Sequence, residues 1–226
     1  FDLRQQQEML ASNSLPLFQL TLRHAKNKKE LRLVSDSGWR QATLRQTSQR
    51  LILTWENPQE AALQGLRVSA SVLLDDADNA LRWKLNVENK NADWTVWRVV
   101  FPQVALADLG DGSSVLFPRG PGEVQKGVWK RVFKYRGNYP GGWCSMQFMA
   151  AYRETESPTG LYFAVHYPLG GTKDVVLESA PAARSVRLSY DHPSPNMGVA
   201  GNDFELGGEA VWQLLRGDWF DAATLY

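Results

Sequence analysis

Short runs in which apolar and polar residues alternate recur along nearly the whole chain, separated by polar turns. Residues 18–22 and 31–34 alternate in this way on either side of a basic turn, and residues 66–74 and 80–88 form the clearest pair. A period of two places every second side chain on the same face of a strand, so each pair predicts an antiparallel hairpin. The remaining predicted strands are residues 42–46, 51–55, 94–101, 115–117, 146–152, 160–167, 175–178, 186–190 and 210–215. We expect the strand at 94–101 to end at Pro102, and residues 191–196 to interrupt the chain before its final strand.

A dozen or more short strands, with one helical segment, indicate an all-β protein. Strands that are apolar on one face bury those faces most simply when two sheets pack together. The sequence therefore predicts an antiparallel two-sheet sandwich. Its 226 residues, of which 43% are hydrophobic and 22% charged, supply enough apolar side chains for a sizeable core. We find no repeat or internal linker and predict one domain over residues 1–226, with residues 1–16 as a lead-in.

The final segment, residues 217–226, has the pattern of a helix start. Gly217 ends the preceding strand, Asp218 stands where an N-cap accepts free backbone N–H groups, and Asp221 places a second negative charge near the helix N-terminus. Trp219, Ala222, Ala223 and Tyr226 follow at helical spacing. A helix of about two turns is marginal in water on its own. We expect this segment to lead into a further domain, with Trp219, Phe220, Leu225 and Tyr226 covering apolar surface.

Charge and cysteine content exclude several classes of function. The formal net charge is +1, which argues against nucleic acid or an anionic membrane surface as a partner. No apolar run approaches the roughly 20 residues of a membrane-spanning helix. Cys144 is the only cysteine, so no internal disulfide forms. Its apolar neighbours favour a buried, inert thiol over a nucleophile.

No familiar catalytic or metal-binding motif is present. The chain lacks a phosphate-binding loop, a dinucleotide fingerprint and a zinc-binding helix, and His24, His166 and His192 are far apart in sequence. The acidic turn at residues 75–79 lacks the central glycine of a calcium loop, and Val87 stands where a bidentate glutamate is required. We therefore expect no cofactor and no metal.

Paired carboxylates are the remaining catalytic possibility. Glu205 could face the same way as Glu209 or Asp203 on a strand, but such pairs are more typical of a solvated strand edge than of an acid and nucleophile with divergent pKa values. We predict that the chain alone hydrolyses no glycoside, and that Glu205→Gln changes no such activity.

The region from Arg119 to Trp143 is the best sequence candidate for a binding site. It is the longest stretch without a firm strand pattern, and it mixes aromatic rings with prolines, glycines and cations. Ring faces stack on sugars, basic side chains donate to hydroxyl groups, and long loops on rigid scaffolds often carry binding sites. The predicted carbohydrate-binding residues are Arg119, Trp129, Tyr135, Tyr139 and Trp143, with Lys126, Lys130 and Arg136 as further donors. Alternatively, these aromatic residues seal the loop onto the sandwich or onto a neighbouring domain.

Several segments together resemble a known family. Residues 85–94 (LNVENKNADW), followed by residues 99–104 (VVFPQV), are similar to the strand–turn–strand segment of galactose-mutarotase-like supersandwich domains. Residues 109–120, 139–148 and 160–166 resemble the same region of one group, the bacterial glycoside hydrolases that place such a domain before a (β/α)8 catalytic barrel. The final segment, residues 217–226, is similar to their junction with the barrel. The resemblance covers residues 18–226 and rests more on the order of the segments than on any one of them.

The resemblance implies that the catalytic carboxylates lie in the barrel and not in this chain. Mutarotases use a histidine and a glutamate on the sugar ring, but His166 is followed by Tyr167 and Pro168, which do not match the family's catalytic surroundings. Three hypotheses stay open: a non-catalytic module that packs on a downstream catalytic barrel and shapes its substrate cleft, an independent carbohydrate-binding module, or a sugar epimerase. The expected partners are a carbohydrate and the barrel domain.

Overall fold

Two antiparallel sheets form the protein. The computed structural model describes residues 8–12, 15–75, 77–141, 143–156 and 158–226. The first eight strands are β1 Gln19–His24, β2 Glu30–Val34, β3 Trp39–Gln46, β4 Arg50–Pro58, β5 Leu66–Asp75, β6 Ala80–Asn89, β7 Trp94–Ala107 and β8 Ser113–Phe117. The remaining elements are β9 Glu123–Lys126, β10 Lys134–Tyr139, β11 Phe148–Arg153, β12 Thr159–His166, β13 Lys173–Ala180, β14 Ser185–Pro193, β15 Phe204–Glu205, β16 Glu209–Arg216 and the helix α1 Trp219–Leu225. The all-β prediction is confirmed.

The smaller sheet has six strands in the order β10-β13-β14-β7-β1-β2. The larger sheet has ten, in the order β3-β4-β5-β6-β16-β12-β11-β8-β9, with β15 pairing to β6. Alternate residues of both sheets face each other and form the main core, which includes Phe18, Phe101, Phe163 and Tyr190. The sandwich therefore has two outer faces, and these carry the candidate sites.

The predicted hairpins pair as the alternation indicates. Strand β1 pairs with β2, β3 with β4, and β5 with β6 over ten residue pairs, from Leu66 opposite Asn89 to Asp75 opposite Ala80. The acidic turn between β5 and β6 holds Asp75 and Asp78, which both bond to Arg82; Asp76 lies outside the described residues. The hydrogen bond from the Ala77 backbone N–H, followed by that from Arg82, lowers the pKa of Asp75. Among the described residues, no cluster of His, Cys, Asp and Glu suits a metal ion.

Strand β7 does not end at Pro102, contrary to the sequence prediction. It continues to Ala107, and its pairing with β14 shifts register opposite Tyr190, where two residues of β7 lie against one of β14. Pairing with β1 has already ended at Val100. Proline is tolerated at such a bulge because no ladder hydrogen bond needs its missing N–H.

Two further predictions about the strands are wrong. Residues 191–193 continue β14 instead of interrupting it, since Asp191 and His192 still pair with β7. The stretch from Arg119 to Trp143 is also not a single long loop. It contains β9 and β10, and β10 pairs along its whole length with β13. Polar residues alternate with Tyr135, Gly137 and Tyr139 in β10, and with only two apolar side chains this pattern does not distinguish a strand from a loop.

The terminal helix forms where the sequence predicts it. The Asp218 carboxylate accepts from the Phe220 N–H at 2.8 Å, and Asp221 accepts from the Asp218 N–H at 2.9 Å, which completes a capping box. Ala222 is buried against the outer face of the larger sheet, in a second apolar cluster. The other members of this cluster are Ala80, Leu116, Phe148, Ala150, Tyr152, Tyr162, Ala164, Val211 and Leu215. The helix thus covers part of an apolar outer face.

The predicted lead-in is only partly described, because residues 1–7 and 13–14 lie outside the described residues. Within the described part, Leu10 forms a bridge with Leu106, and Ala11 donates to the Ala105 carbonyl at 2.9 Å. No helix in the described ranges is long and apolar enough to span a membrane.

Candidate functional site

Trp129 lies in the core and must be removed from the predicted sugar-binding set. Its indole is fully buried, and its Nε1–H donates to the Leu106 carbonyl at 3.1 Å. It belongs to a short 3-10 turn, Val128–Lys130, whose first two residues are both buried. A ring in this position offers no face to a ligand, so for Trp129 the alternative of sealing the loop onto the sandwich is correct.

Tyr135 is also turned inward, although less completely. Its ring packs on Phe117 with 4.6 Å between centroids, and its hydroxyl lies over Gly137. Burial and the neighbouring Cys144 raise the pKa of Tyr135 to about 12. Burial likewise raises the pKa of the Cys144 thiol to about 11, so this cysteine is protonated at neutral pH and is not an activated nucleophile.

Trp143 and Arg119 stay at the surface and lie close together. The Trp143 side chain is 81% exposed, and its carbonyl accepts from the Gly120 N–H at 2.6 Å. Arg119 is exposed and lies 3.5 Å from Glu123. The other predicted donors are in ion pairs: Lys126 with Glu154, Lys130 with Asp111 and Arg136 with Asp174. Sugar contact by Arg119 and Trp143 stays a prediction.

Tyr139 belongs to a concave site that the structure assembles from four separate segments. This aromatic pocket has a volume of about 390 Å³ and is lined by Tyr139, Gln147, His166, Tyr167, Pro168 and Tyr226. Tyr139 ends β10, His166 ends β12, and Tyr226 follows α1. The helix thus places Tyr226 at the same end of the sandwich as the ends of β10 and β12.

Hydrogen bonding fixes the state of the histidine in this pocket. His166 Nε2 lies 2.7 Å from the Tyr162 hydroxyl, which is buried. Burial raises the pKa of Tyr162, and burial together with the charge on Arg82 lowers the pKa of His166. We assign Tyr162 as the donor and Nε2 as the acceptor, because this arrangement gives the buried phenol O–H an acceptor. His166 then presents its Nδ1–H as a donor.

Lys173 lies behind the aromatic pocket as a buried cation. It is paired in register with Tyr139, and its ammonium group lies 4.6 Å from the centroid of the Tyr139 ring. The ammonium donates to Gln147 Oε1 at 2.6 Å and to the Gly171 carbonyl at 2.7 Å. Burial lowers the pKa of Lys173 to about 8. The charge therefore holds Gln147 and Tyr139 in place and is largely retained at neutral pH.

A second hollow shares Tyr167 with the aromatic pocket and is also lined by Lys173. Its volume is about 430 Å³, and it is lined by Tyr167, Gly171, Thr172, Lys173, His192, Pro193, Ser194, Pro195, Met197, Phe204, Glu205 and Gly207. Glu205, weighed above as a catalytic carboxylate, is exposed at its edge, whereas Glu209 faces Arg82 and Lys84 on the larger sheet. Glu209 is not among the described residues that line this hollow.

Gln147, Lys173 and the pocket position of Tyr226 could not be predicted from the sequence, because strand pairing between distant segments forms the pocket. Antiparallel pairing brings the end of β10 beside the start of β13, and the end of β12 meets the segment before β11. Isolated aromatic residues at strand ends carried no signal that separated them from core residues.

Comparisons with known proteins agree on the fold. No family model matches the chain, and no curated protein matches it in sequence. Among solved structures, the chain is similar to the galactosidase domain of alpha-galactosidase-sucrose kinase, AgaSK, with a TM-score of 0.56 and 11% identity over 88% of this chain. It is also similar to the Slr1438 protein from Synechocystis sp. PCC 6803, with a TM-score of 0.50 and 12% identity, covering 84% of this chain and 72% of that one. This chain spans 30% of the galactosidase structure, and at these identities the similarity is one of fold.

Proposed function

We propose that this chain is a non-catalytic β-sandwich module of a glycoside hydrolase, which packs on a catalytic barrel domain and helps to shape its substrate cleft. The observation that carries the proposal is the apolar surface around α1. Trp219 and Tyr226 are each 49% exposed and Phe220 is 61% exposed, beside the apolar cluster on the outer face of the larger sheet. Contiguous exposed apolar surface is typical of an interaction site.

The exposed apolar side chains of α1 favour a docked protein domain as the occupant of this surface. The helix is capped at its start, so it forms in this chain, but Ala222 is its only buried residue. The similarity to a galactosidase structure of which this chain spans 30% supports a catalytic domain as the partner.

The aromatic pocket supports a role beside the substrate cleft. It contains Tyr226 at the end of α1, so a domain docked on the helix would border it. Tyr139, Tyr167 and Tyr226 offer ring surfaces, while Gln147 and the His166 Nδ1–H offer polar groups. Pockets that bind small polar ligands combine an apolar wall with a few placed donors.

Substitutions in α1 test the docking. In a protein in which this chain continues into a catalytic barrel, Trp219→Ser with Phe220→Ser should lower the melting temperature and weaken contact between the domains. In the 226-residue chain, the same pair should change the melting temperature little, because both side chains are exposed. Equal losses in both proteins would mean that these residues stabilise the sandwich itself, and would contradict the proposal.

An independent carbohydrate-binding module is the second candidate, supported by the same aromatic pocket. Titration of the 226-residue chain with oligosaccharides separates it from the first: tight binding without a second domain, lost in Tyr139→Ala, favours the independent module. A mutarotation assay tests the epimerase alternative. No carboxylate is among the described residues that line the aromatic pocket, so we expect no acceleration of mutarotation.

A further inference from the structure

A polar groove crosses the outer face of the smaller sheet, on the side away from the core and from α1. Its volume is about 490 Å³, and the residues that line it include Gln19, Arg32, Trp97, Arg136, Glu178, Arg187 and Ser189. These residues come from six neighbouring strands, so the groove, hereafter the sheet groove, is built on rigid elements.

Two irregularities of β7 shape the sheet groove. The pairing of β7 with β1 shifts register between Thr21 and Leu22, so that Trp97 is an extra residue and lies on the same face as Arg98. The second shift lies opposite Tyr190, beyond Val100. Bulges re-aim side chains and bend a strand, and they are frequent beside binding sites. Here they place an indole and a guanidinium side by side.

Two donors in the groove have no acceptor. Arg187 Nε and Ser189 Oγ are both buried, and neither bonds to any group in the described part of the chain. The other end of the Arg187 guanidinium donates to Gln103 Oε1 at 2.8 Å, which fixes its position. An unsatisfied buried donor is destabilising, and in native structures it calls for an explanation such as a ligand.

The nearby carboxylates do not satisfy these donors, because they are engaged elsewhere. Arg98 and Arg136 each bond to both Asp174 and Asp191, at distances of 2.5 to 2.8 Å. Glu178, directly across from Arg187 in the register, pairs instead with Lys134 at 2.5 Å. Among the described residues, no carboxylate lies within ion-pairing distance of Arg187.

The charge of this face favours an anion. This face carries six cationic and four anionic side chains. The cationic ones are Arg23, Arg32, Arg98, Lys134, Arg136 and Arg187, and the anionic ones are Glu30, Asp174, Glu178 and Asp191. The whole chain carries a formal charge of only +1, so this face is more positive than the protein as a whole. Planar guanidinium groups suit carboxylates in particular.

Trp97 supplies a flat wall beside these donors. The Arg23 guanidinium lies over one face of the indole, 4.4 Å from its centroid, which restrains the ring and leaves the other face for a ligand. Gln19 and Thr21 add neutral polar groups to the lining of the groove. A ligand that used the whole groove would have a flat apolar surface, several hydroxyl groups and one carboxylate.

We propose that the sheet groove binds an acidic sugar, a uronic acid residue whose carboxylate accepts from Arg187 and Ser189 and whose ring lies against Trp97. The anion site rests on the geometry of the groove alone. The choice of a sugar over another carboxylate also rests on the proposed function. This site is separate from the aromatic pocket and from α1, so it can be occupied while a second domain is docked.

Calorimetric titration of the 226-residue chain with three probes tests the proposal. Galacturonic acid carries both ring and carboxylate, galactose carries the ring without the charge, and lactate carries a carboxylate without the ring. We expect galacturonic acid to bind at least about tenfold more tightly than either of the others, since a hydrogen bond to a charged group is worth about one such factor. Added salt should weaken this binding.

Variants assign the binding to the groove. Arg187→Gln should lower the affinity for galacturonic acid about tenfold. Trp97→Ala and Ser189→Ala should lower this affinity by smaller factors. Arg45→Gln removes the same charge from an exposed position of the larger sheet and should change nothing. Because Ser189 Oγ has no partner in the described chain, Ser189→Ala should keep the melting temperature unchanged, so its loss of affinity cannot be ascribed to unfolding.

Three results would overturn the proposal. Absence of galacturonic acid binding would contradict the proposed anion site, and so would an equal loss of affinity in Arg45→Gln and Arg187→Gln. Equal binding of galactose and galacturonic acid would show that the carboxylate is not recognised. Lactate binding as tight as that of galacturonic acid would overturn the choice of a sugar. None of these results bears on the docking of α1, which the Trp219 and Phe220 variants test separately.

Discussion

Trp129 and Trp143 lie in the same stretch of sequence yet have opposite environments. Trp129 is buried with its Nε1–H bonded to a backbone carbonyl, whereas Trp143 is 81% exposed at a position with a φ of 68°. Each has a glycine two residues before it, so the local sequence does not separate them. What separates them is the 3-10 turn that directs Trp129 between the two sheets.

Truncation of the two tryptophans should therefore have opposite consequences. Trp129→Ala should lower the free energy of unfolding by about 3–5 kcal/mol, because it leaves a cavity in the core. Trp143→Ala should change it by less than about 0.5 kcal/mol. Urea denaturation followed by circular dichroism measures both. A similar fall for the two variants would contradict the burial difference.

His192 makes stability depend on pH. Its ring is buried and its Nε2 lies 2.8 Å from the Phe101 carbonyl, to which the neutral ring donates. Burial lowers the pKa of His192 to about 4, from an ordinary value of 6.5. Arg98 and Lys173 reinforce the lowering, while the bond to Phe101 and the charge on Asp191 oppose it.

The sign of the effect follows from which state binds the proton. Between about pH 6.5 and pH 4 the unfolded chain protonates His192 while the native chain does not, so the free energy of unfolding falls as the pH falls, by up to about 3 kcal/mol. His192→Gln, which retains an N–H donor for Phe101, should flatten the stability profile in this window. His24→Gln removes a histidine outside the core and serves as the control, and it should change the slope in this window less than His192→Gln does. An unchanged slope in His192→Gln would contradict the assignment.

At the scale of elements, substitutions of Asp218 test how much the capping box stabilises the helix α1. Asp218→Ala removes the acceptor for the Phe220 N–H and should destabilise the helix by about 1 kcal/mol, whereas Asp218→Asn retains an acceptor and should have little effect. Hydrogen exchange of the α1 amides should be about fivefold faster in Asp218→Ala, if exchange follows local opening. Equal exchange in the alanine and asparagine variants would show that the cap contributes nothing.

The strands show how far sequence alone predicts this fold. Where one face is buried and the other solvated, as in β5, alternation predicts both the strand and its partner. The sequence pattern does not predict β10, because this edge strand carries charged residues on its outer face. Strand β7 runs past Pro102 because a bulge accommodates the proline, and sequence alone shows neither the bulge nor the partner strand.

At the scale of the whole molecule, pairing between distant segments creates the candidate sites. The aromatic pocket gathers residues from Tyr139 to Tyr226, and the sheet groove gathers them from Gln19 to Asp191. Of the five residues predicted to bind carbohydrate, only Tyr139 lies in the aromatic pocket. The aromatic residue types predict a binding surface without specifying its members. The register of β10 with β13 and the bulges of β7 determine which side chains lie together in each site.

Docking of a catalytic domain on α1 can be measured by hydrogen exchange of residues 219–226, compared between this chain and a protein in which it continues into a catalytic barrel. If the barrel covers Trp219, Phe220 and Tyr226, exchange in this segment should slow by at least about tenfold, because the helix then opens only with the interface. Exchange in the sheet groove strands should stay the same. Unchanged exchange of residues 219–226 in the longer protein would contradict the proposal that this sandwich is a docked module of a glycoside hydrolase.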